Sequence, residues 1–114
     1  MKPIAMAFPV LPGKTEKARR FMKSLKKEHA KDFAALEKKL ETTKEAVFLQ
    51  TSPQGDMIID YYECADPEKS AEALAKLKDE FAMWMKSEIS DITGVDVEAM
   101  AKEPIPEQIP LFGF

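Results

Sequence analysis

Bulky apolar side chains alternate with small or polar ones along three stretches of the chain. Residues 3–10 alternate in this way and predict a strand, which Pro9 either places at a sheet edge or ends. Residues 45–51 and 57–63 alternate too, and the Ser52-Pro53-Gln54-Gly55 segment between them has the composition of a tight turn. The pattern therefore predicts an edge strand followed later by a β-hairpin.

The hairpin has two different faces in the predicted register, which sets Thr51 opposite Met57 and Gln50 opposite Ile58. One face is uniformly bulky and carries Val47, Leu49, Met57, Ile59 and Tyr61. The other face mixes polar and aromatic groups and carries Phe48, Gln50, Ile58, Asp60 and Tyr62. We expect the bulky face to lie under helices and the mixed face to stay open and hold a site.

Apolar residues recur at helical spacing in two longer stretches. The first runs from Thr15 to about Leu40 and is longer than the strands, so a single helix there has to overhang the sheet or bend. The second runs from Pro67 to about Thr93, and its polar segment near Asp79 allows it to be two helices. Both stretches therefore predict helices that cover one face of the sheet.

The C-terminal arm, residues 95–114, contains Pro104, Pro106 and Pro110 and is predicted to be extended. Its last part, residues 108–114, is too apolar to be expected free in water. We therefore expect this part to form a terminal edge strand or a clasp onto a neighbouring chain.

With a terminal strand, the elements follow the order strand, helix, strand, strand, helix, strand. This order predicts an α+β fold of the ferredoxin-like βαββαβ type, in which an antiparallel sheet carries two helices on one face. Residues 1–114 would form this single domain. In a monomer the open face would leave Phe48, Ile58 and Tyr62 in water, so we expect two sheets to pack face to face in a homodimer.

The hairpin also carries a family resemblance, in the segment Val47-Phe48-Leu49-Gln50-Thr51-Ser52-Pro53-Gln54-Gly55-Asp56 and in the later Gly94-Val95-Asp96. These segments resemble a set of small uncharacterised bacterial proteins whose strand commonly reads Val-Trp-Leu-Gln and whose turn reads Thr-Pro-x-Gly-Asp. This chain departs by having Phe48 in place of tryptophan and an added Ser52. More broadly, the element order resembles the dimeric α+β barrel superfamily, which includes cofactor-free monooxygenases, haem-degrading enzymes and ligand-sensing domains. The resemblance implies a dimeric α+β barrel and no particular activity.

Composition and charge narrow the classes of partner. The chain has 114 residues, a net charge of −3 and a single cysteine, so neither nucleic-acid binding nor a disulfide framework is expected. One histidine and one cysteine leave no metal site to predict, and no cofactor motif is present. No apolar run approaches a membrane span and no signal peptide is expected, so the predicted location is the cytoplasm without a membrane partner.

The candidate ligand site is the mixed face, with Phe48, Gln50, Ile58, Asp60 and Tyr62 as its predicted lining. Asp60 is the candidate catalytic residue, because a carboxylate beside aromatic rings has a raised pKa and can accept a proton. It can equally position a ligand or fix the register of a dimer. His29 is predicted as a core residue or a base or haem ligand, Glu88 as an edge or paired carboxylate, and Cys64 as a buried apolar residue.

Three functions stay open at the level of sequence. The first is binding of a small, partly apolar molecule in a cavity on the open sheet face of a homodimer. The second is a cofactor-independent monooxygenase-like enzyme acting in the same cavity, and the third is a structural or interaction module without a ligand. A cavity around Gln50 and Asp60 would favour the first two, and a dry packed interface would favour the third.

Overall fold

The computed structural model describes all 114 residues and contains one antiparallel sheet. The sheet has three strands, β1 (Lys2–Pro9), β2 (Thr42–Gln50) and β3 (Met57–Cys64). The helices are α1 (Thr15–Ser24), α2 (Ala30–Lys39), α3 (Pro67–Lys76), α4 (Glu80–Thr93) and the short α5 (Val97–Met100). The predicted α+β class is thereby confirmed.

β3 is the central strand, and both of its neighbours run antiparallel to it in the order β1-β3-β2. β1 and β2 are therefore parallel to each other, and the chain between them passes through α1 and α2. The fourth strand of the predicted βαββαβ order is absent, because residues 101–114 contain no strand. The prolines at 104, 106 and 110 each remove a backbone donor from that segment, which makes strand pairing unfavourable there.

The hairpin register differs by one residue from the predicted one. Gln50 lies opposite Met57, whereas the prediction set Gln50 opposite Ile58. The connecting loop is longer than predicted, because Asp56 closes it with its side chain: Oδ1 of Asp56 accepts a hydrogen bond from the backbone N–H of Ser52 at 3.1 Å. The carbonyl of Asp56 also accepts from the backbone N–H of Val10 at 2.9 Å, which ties the loop to the end of β1.

The one-residue difference exchanges the two faces of β3, since neighbouring side chains point to opposite sides of a strand. Ile58 is buried at 4% exposure among the helix residues of the core, while Met57 is exposed. On β2 the predicted faces hold, because Val47 packs against the core and Phe48 is 60% exposed. The helix-facing side of the sheet is therefore Val47 and Leu49 together with Ile58, Asp60 and Tyr62.

The first predicted helix bends instead of overhanging the sheet. A turn at residues 25–29 separates α1 from α2, and within it the backbone N–H of Lys26 donates to the carbonyl of Lys23 at 3.1 Å. His29 is the N-cap residue of α2. The bend leaves the predicted apolar stripe in place, since Ala18, Leu25 and Leu36 are all buried.

The second helical stretch is divided at the predicted place. Asp66 accepts a hydrogen bond from the backbone N–H of Lys69 and Pro67 is the first residue of α3, as expected for a helix start. Asp79 caps α4 in the same way by accepting from the backbone N–H of Ala82. Gly94 ends α4 in the left-handed conformation with φ of 75°, which glycine adopts without strain.

The hydrophobic core lies between the sheet and the helices. Its buried members come from α1, α2, α4, β3 and residues that adjoin these elements or β1, and include Val10, Phe21, Leu36, Ile58, Met85 and Ile92. The C-terminal residues do not join this core. Phe112 is 94% exposed, and Ile109, Leu111 and Phe114 are exposed as well, so the predicted edge strand is wrong for the single chain.

Candidate functional site in the sheet–helix cavity

A large cleft, partly open to solvent, lies between the helix-facing side of the sheet and the helices beside the hydrophobic core, with a volume of about 1030 Å³. Met6, Val47 and Ile58 line it from the sheet, and Leu36 and Met85 line it from α2 and α4. Of its 36 lining residues 23 are hydrophobic, which is the composition of a small-molecule pocket and not of a water channel. We call this space the sheet–helix cavity.

Three acidic side chains from three different elements meet in this cavity. Asp60 comes from β3, Glu45 from β2 and Glu37 from α2, and all three line the cavity. We call these residues the carboxyl trio. Because the chain puts them on separate elements, folding is required to bring them together.

The strand register explains how two members of the trio become neighbours. Asp60 lies between Met6 on β1 and Val47 on β2, so its immediate neighbours in the sheet are apolar. Glu45 lies opposite Tyr62, which makes it a diagonal neighbour of Asp60 on the same face of the sheet. Glu37 joins them because it follows the buried Leu36 on α2.

The environment of Asp60 favours its protonated form. Burial raises the pKa of Asp60 to about 9, and the hydrogen bond and negative charge of Glu45 act in the same direction. Asp60 therefore carries a proton at neutral pH and acts as a hydrogen-bond donor there. The sequence predicted a raised pKa for Asp60, and the direction of the shift agrees with that prediction.

The other two members of the trio are perturbed in the same direction. Burial raises the pKa of Glu45 to about 7, although its hydrogen bond with Asp60 lowers the pKa and its contact with Glu37 raises it. Glu45 as a residue is exposed, since β2 is an edge strand, but its carboxyl group lies against those of Asp60 and Glu37. Burial also raises the pKa of Glu37. Hydrogen bonds thus link the trio from the buried Asp60 through Glu45 to Glu37.

One oxygen of the trio has no partner at all. Oδ1 of Asp60 is buried and makes no hydrogen bond within the protein. Leaving a buried polar group unpaired costs about 1–3 kcal/mol, so this oxygen is available to accept a hydrogen bond from water or from a bound molecule. Tyr62 lies in the same cavity, and burial together with the charge of Asp60 raises the pKa of its hydroxyl.

The structure divides the predicted site residues between the two faces of the sheet. Ile58, Asp60 and Tyr62 line the sheet–helix cavity, whereas Phe48 and Gln50 lie on the open face. The predicted pairing of Gln50 with Asp60 is therefore wrong, and the reason is the one-residue difference in register.

Sequence reasoning missed Glu37 and Glu45. Glu45 precedes Val47 and Leu49 on the bulky face by the same alternation, so its position among helix-facing residues was available from the pattern. For Glu37 no such signal exists, because it adjoins an apolar stripe of the helix like many solvated glutamates.

The remaining predicted candidates have structural roles. His29 stacks on Trp84 with ring centroids 4.2 Å apart and lies outside the cavity lining. Glu88 is a paired carboxylate, since its Oε2 lies 2.7 Å from Nζ of Lys17. Cys64 is fully buried, as predicted.

Two further geometric findings bear on the class of site. No three or more acidic, histidine or cysteine side chains, the carboxyl trio included, are arranged to hold a metal ion. None of the helices has the length and apolarity that crossing a membrane requires.

The chain matches no family model, and no curated protein or solved structure is significantly similar to it. The geometry of the cavity is consequently the main basis for a functional conclusion.

Proposed function

We propose that this protein binds a small amphiphilic molecule in the sheet–helix cavity. The apolar body of the ligand packs among side chains such as Val47, Leu36 and Met85, and its polar end meets the carboxyl trio. The observation that carries the proposal is the combination of a cavity of about 1030 Å³ with an unpartnered buried oxygen, Oδ1 of Asp60, on its wall. The space is a cleft partly open to solvent, and its mostly apolar lining with a few polar groups is that of a small-molecule pocket.

The proposed ligand is of the kind that the sequence predicts, but its proposed binding site is a different one. The predicted pocket lay on the open face, whereas the cavity lies on the opposite side of the sheet. Asp60 still supplies a polar group of the lining, and Ile58 and Tyr62 still supply part of the wall.

We further propose that the protein is a homodimer with a ferredoxin-like arrangement, in which the open faces of two sheets meet. The exposure of Phe48 and Met57 on that face supports this proposal, because contiguous exposed apolar groups mark interaction surfaces. The strand order β1-β3-β2 supports the arrangement. The proposed location is the cytoplasm, and the free thiol of Cys64 suits its reducing conditions.

An enzymatic version of the proposal has one observation in its favour. The pKa of Asp60, raised to about 9, keeps a proton available inside an apolar cavity, where it can be transferred to a bound substrate. The hydrogen-bonded chain through Glu45 to Glu37 can then replace that proton. In this version Asp60 is a general acid, and the asparagine variant Asp60→Asn loses turnover while ligand affinity stays within about threefold.

Titration with the neutral dye Nile red tests the binding proposal directly. We expect one dye per chain with blue-shifted emission, because the dye enters an apolar space. Val47→Phe narrows the cavity and should weaken binding by roughly tenfold, since Val47 lines it. The matched control is Ile59→Phe, which adds a ring to an aliphatic side chain outside the cavity lining.

The two variants show on which side of the sheet the dye binds. If Ile59→Phe weakens dye binding and Val47→Phe does not, the dye binds the open face and the proposal is wrong. Native mass spectrometry of freshly purified protein adds the mass of any retained ligand and the number of chains in the complex.

A further inference from the structure

The carboxyl trio has no positively charged partner in the protein. The ion pairs of the chain all lie elsewhere, with Lys14 and Lys17 bound to Asp91 or Glu88, Arg19 to Glu16, and Lys78 and Lys86 to Glu98. Buried carboxyl groups are rare without a paired cation, because removing them from water is costly. In the free protein Asp60 and Glu45 are held largely neutral instead, since burial raises the pKa of both carboxyl groups, and a bound cation would stabilise their ionised forms.

The unpartnered oxygen of Asp60 specifies what kind of group is missing. Oδ1 of Asp60 is buried and has no donor within reach, and Glu37 and Glu45 are also carboxyl groups. When ionised, a carboxylate can only accept hydrogen bonds. A group that binds Oδ1 of Asp60 must therefore donate a hydrogen bond, and a positive charge on that group would stabilise the ionised forms of Asp60 and Glu45.

We propose that the ligand of the sheet–helix cavity carries a cationic nitrogen group, such as a primary ammonium, on an apolar body, and that this group binds the carboxyl trio. The inference rests on the proposed function and names the chemical class of its ligand. A metal ion does not meet the same need, because the trio is not arranged as a metal site. The apolar lining likewise favours an organic cation with an aliphatic or aromatic body.

An anionic ligand is the main rival, because basic residues also line the cavity. Lys23, Lys26 and Lys27 are among the lining residues, but all three are exposed and lie at the end of α1 and in the turn after it. Exposed ammonium groups are well solvated and gain little from pairing. The buried polar atom of the lining that lacks a partner is instead Oδ1 of Asp60, which belongs to an acidic side chain.

Binding of a cation should release protons from the trio. The pKa values of Asp60 and Glu45, about 9 and about 7, mean that both groups hold protons in much of the neutral range. A nearby positive charge favours their ionised forms and displaces those protons. The other titratable groups facing them are Glu37 from α2 and, on β3, Tyr62 and Cys64, and burial raises the pKa of each.

Three ten-carbon probes with different polar ends test the inference. Decylamine, decanol and decanoate are each used to displace Nile red from the whole protein near neutral pH. We expect decylamine to displace the dye at a concentration roughly tenfold below that of decanol, with decanoate the weakest. Calorimetry in buffers of different ionisation enthalpy should show proton release with decylamine and none with decanol.

A matched pair of glutamate variants tests whether the carboxyl trio causes the preference for decylamine over decanol. Glu45→Gln should reduce the preference for decylamine over decanol to about threefold or less. Glu63→Gln changes the same side chain on the open face, where Glu63 accepts from the hydroxyl of Tyr61 at 2.6 Å, and should leave the preference intact. Circular dichroism of both variants checks that the fold is kept.

The outcomes separate this inference from the proposed function. If decanol or decanoate displaces the dye as well as decylamine does, the cationic ligand is wrong while the binding cavity stands. If Glu63→Gln removes the preference and Glu45→Gln does not, the trio is not the binding group. If the dye itself does not bind in the cavity, both proposals fail.

Discussion

On the helix-facing side of the sheet Ile58 is buried and the neighbouring Asp60 lacks a hydrogen-bond partner, whereas on the open side Phe48 is exposed and Tyr61 donates to Glu63. On the helix-facing side the apolar side chain is thus buried, while a polar atom lacks a hydrogen-bond partner. On the open side the polar groups are hydrogen-bonded to each other, while an apolar side chain is exposed to water. A polar atom without a partner inside a cavity can be hydrogen-bonded by a small molecule, and an apolar side chain exposed to water can be buried against another protein surface. The two faces are therefore suited to different partners.

The largest expected effect contrasts two neighbouring isoleucines of β3. Ile58→Ala should lower the free energy of unfolding by about 2–3 kcal/mol, because Ile58 is buried at 4% exposure, although part of its surroundings is already empty. Ile59→Ala should cost less than about 1 kcal/mol in dilute protein, because Ile59 is only partly buried on the open face. Urea denaturation measures both values. The opposite ranking would mean that the predicted register was correct.

That contrast also shows what the sequence could and could not predict. Alternation identified the strands and correctly put Val47 toward the helices, because period-two patterning is a local property. The faces of β3 depend instead on the number of loop residues, and Asp56 lengthens the loop through a hydrogen bond to Ser52 that composition does not reveal. An error of one residue was enough to move Asp60 from one side of the sheet to the other.

Helix boundaries were more accessible to sequence reasoning because their signals are local. Asp66 caps α3 and Gly94 ends α4 as their residue types indicate, and the polar segment near Asp79 is where the two helices divide. The break at residues 25–29 has no comparable signal, since the apolar stripe continues across it. The carboxyl trio was the least accessible feature, because it is a tertiary contact between α2, β2 and β3.

The second prediction tests the open face as a contact surface. Phe48→Glu should weaken the proposed homodimer by roughly tenfold or more, because it brings uncompensated charge into the interface. Phe112→Glu makes the same exchange on the exposed C-terminal segment and should leave the dimer unchanged. Light scattering over a concentration series measures both. Equal effects of the two variants would assign the contact to the C-terminal segment, and wild-type monomer at every concentration would rule the dimer out.

The third prediction concerns pH and the helix-facing side alone. The pKa of Asp60 is raised from 3.8 to about 9 and that of Glu45 from 4.5 to about 7, so the folded protein holds protons that the unfolded chain has lost. Their stabilisation is fully present below about pH 4 and is lost as the pH rises through about 7 and then about 9. The melting temperature should therefore fall between about pH 5 and about pH 9.

Asp60→Asn should flatten this pH dependence by more than half, because Asp60 has the larger of the two pKa shifts and an amide does not ionise, and the variant should be more stable than the wild type near pH 9. Asp56→Asn serves as the control. The hydrogen bond from Thr15 lowers the pKa of Asp56, so removing that carboxylate alters the pH dependence only in acid. Thermal melts across the range measure the slopes. A wild-type melting temperature that rises with pH would contradict the burial of the trio.

The smallest effect is expected for the C-terminal segment, which belongs to neither face of the sheet. Buried apolar side chains contribute about 1.5–3 kcal/mol each, but Leu111 and Phe112 are 90% and 94% exposed and gain almost none of this in the single chain. Deleting residues 108–114 should therefore change the free energy of unfolding in dilute protein by less than about 0.5 kcal/mol. Urea denaturation at low and high protein concentration separates two cases. A loss confined to high concentration means that the segment clasps a second chain, and a loss in dilute protein would show that it packs on its own.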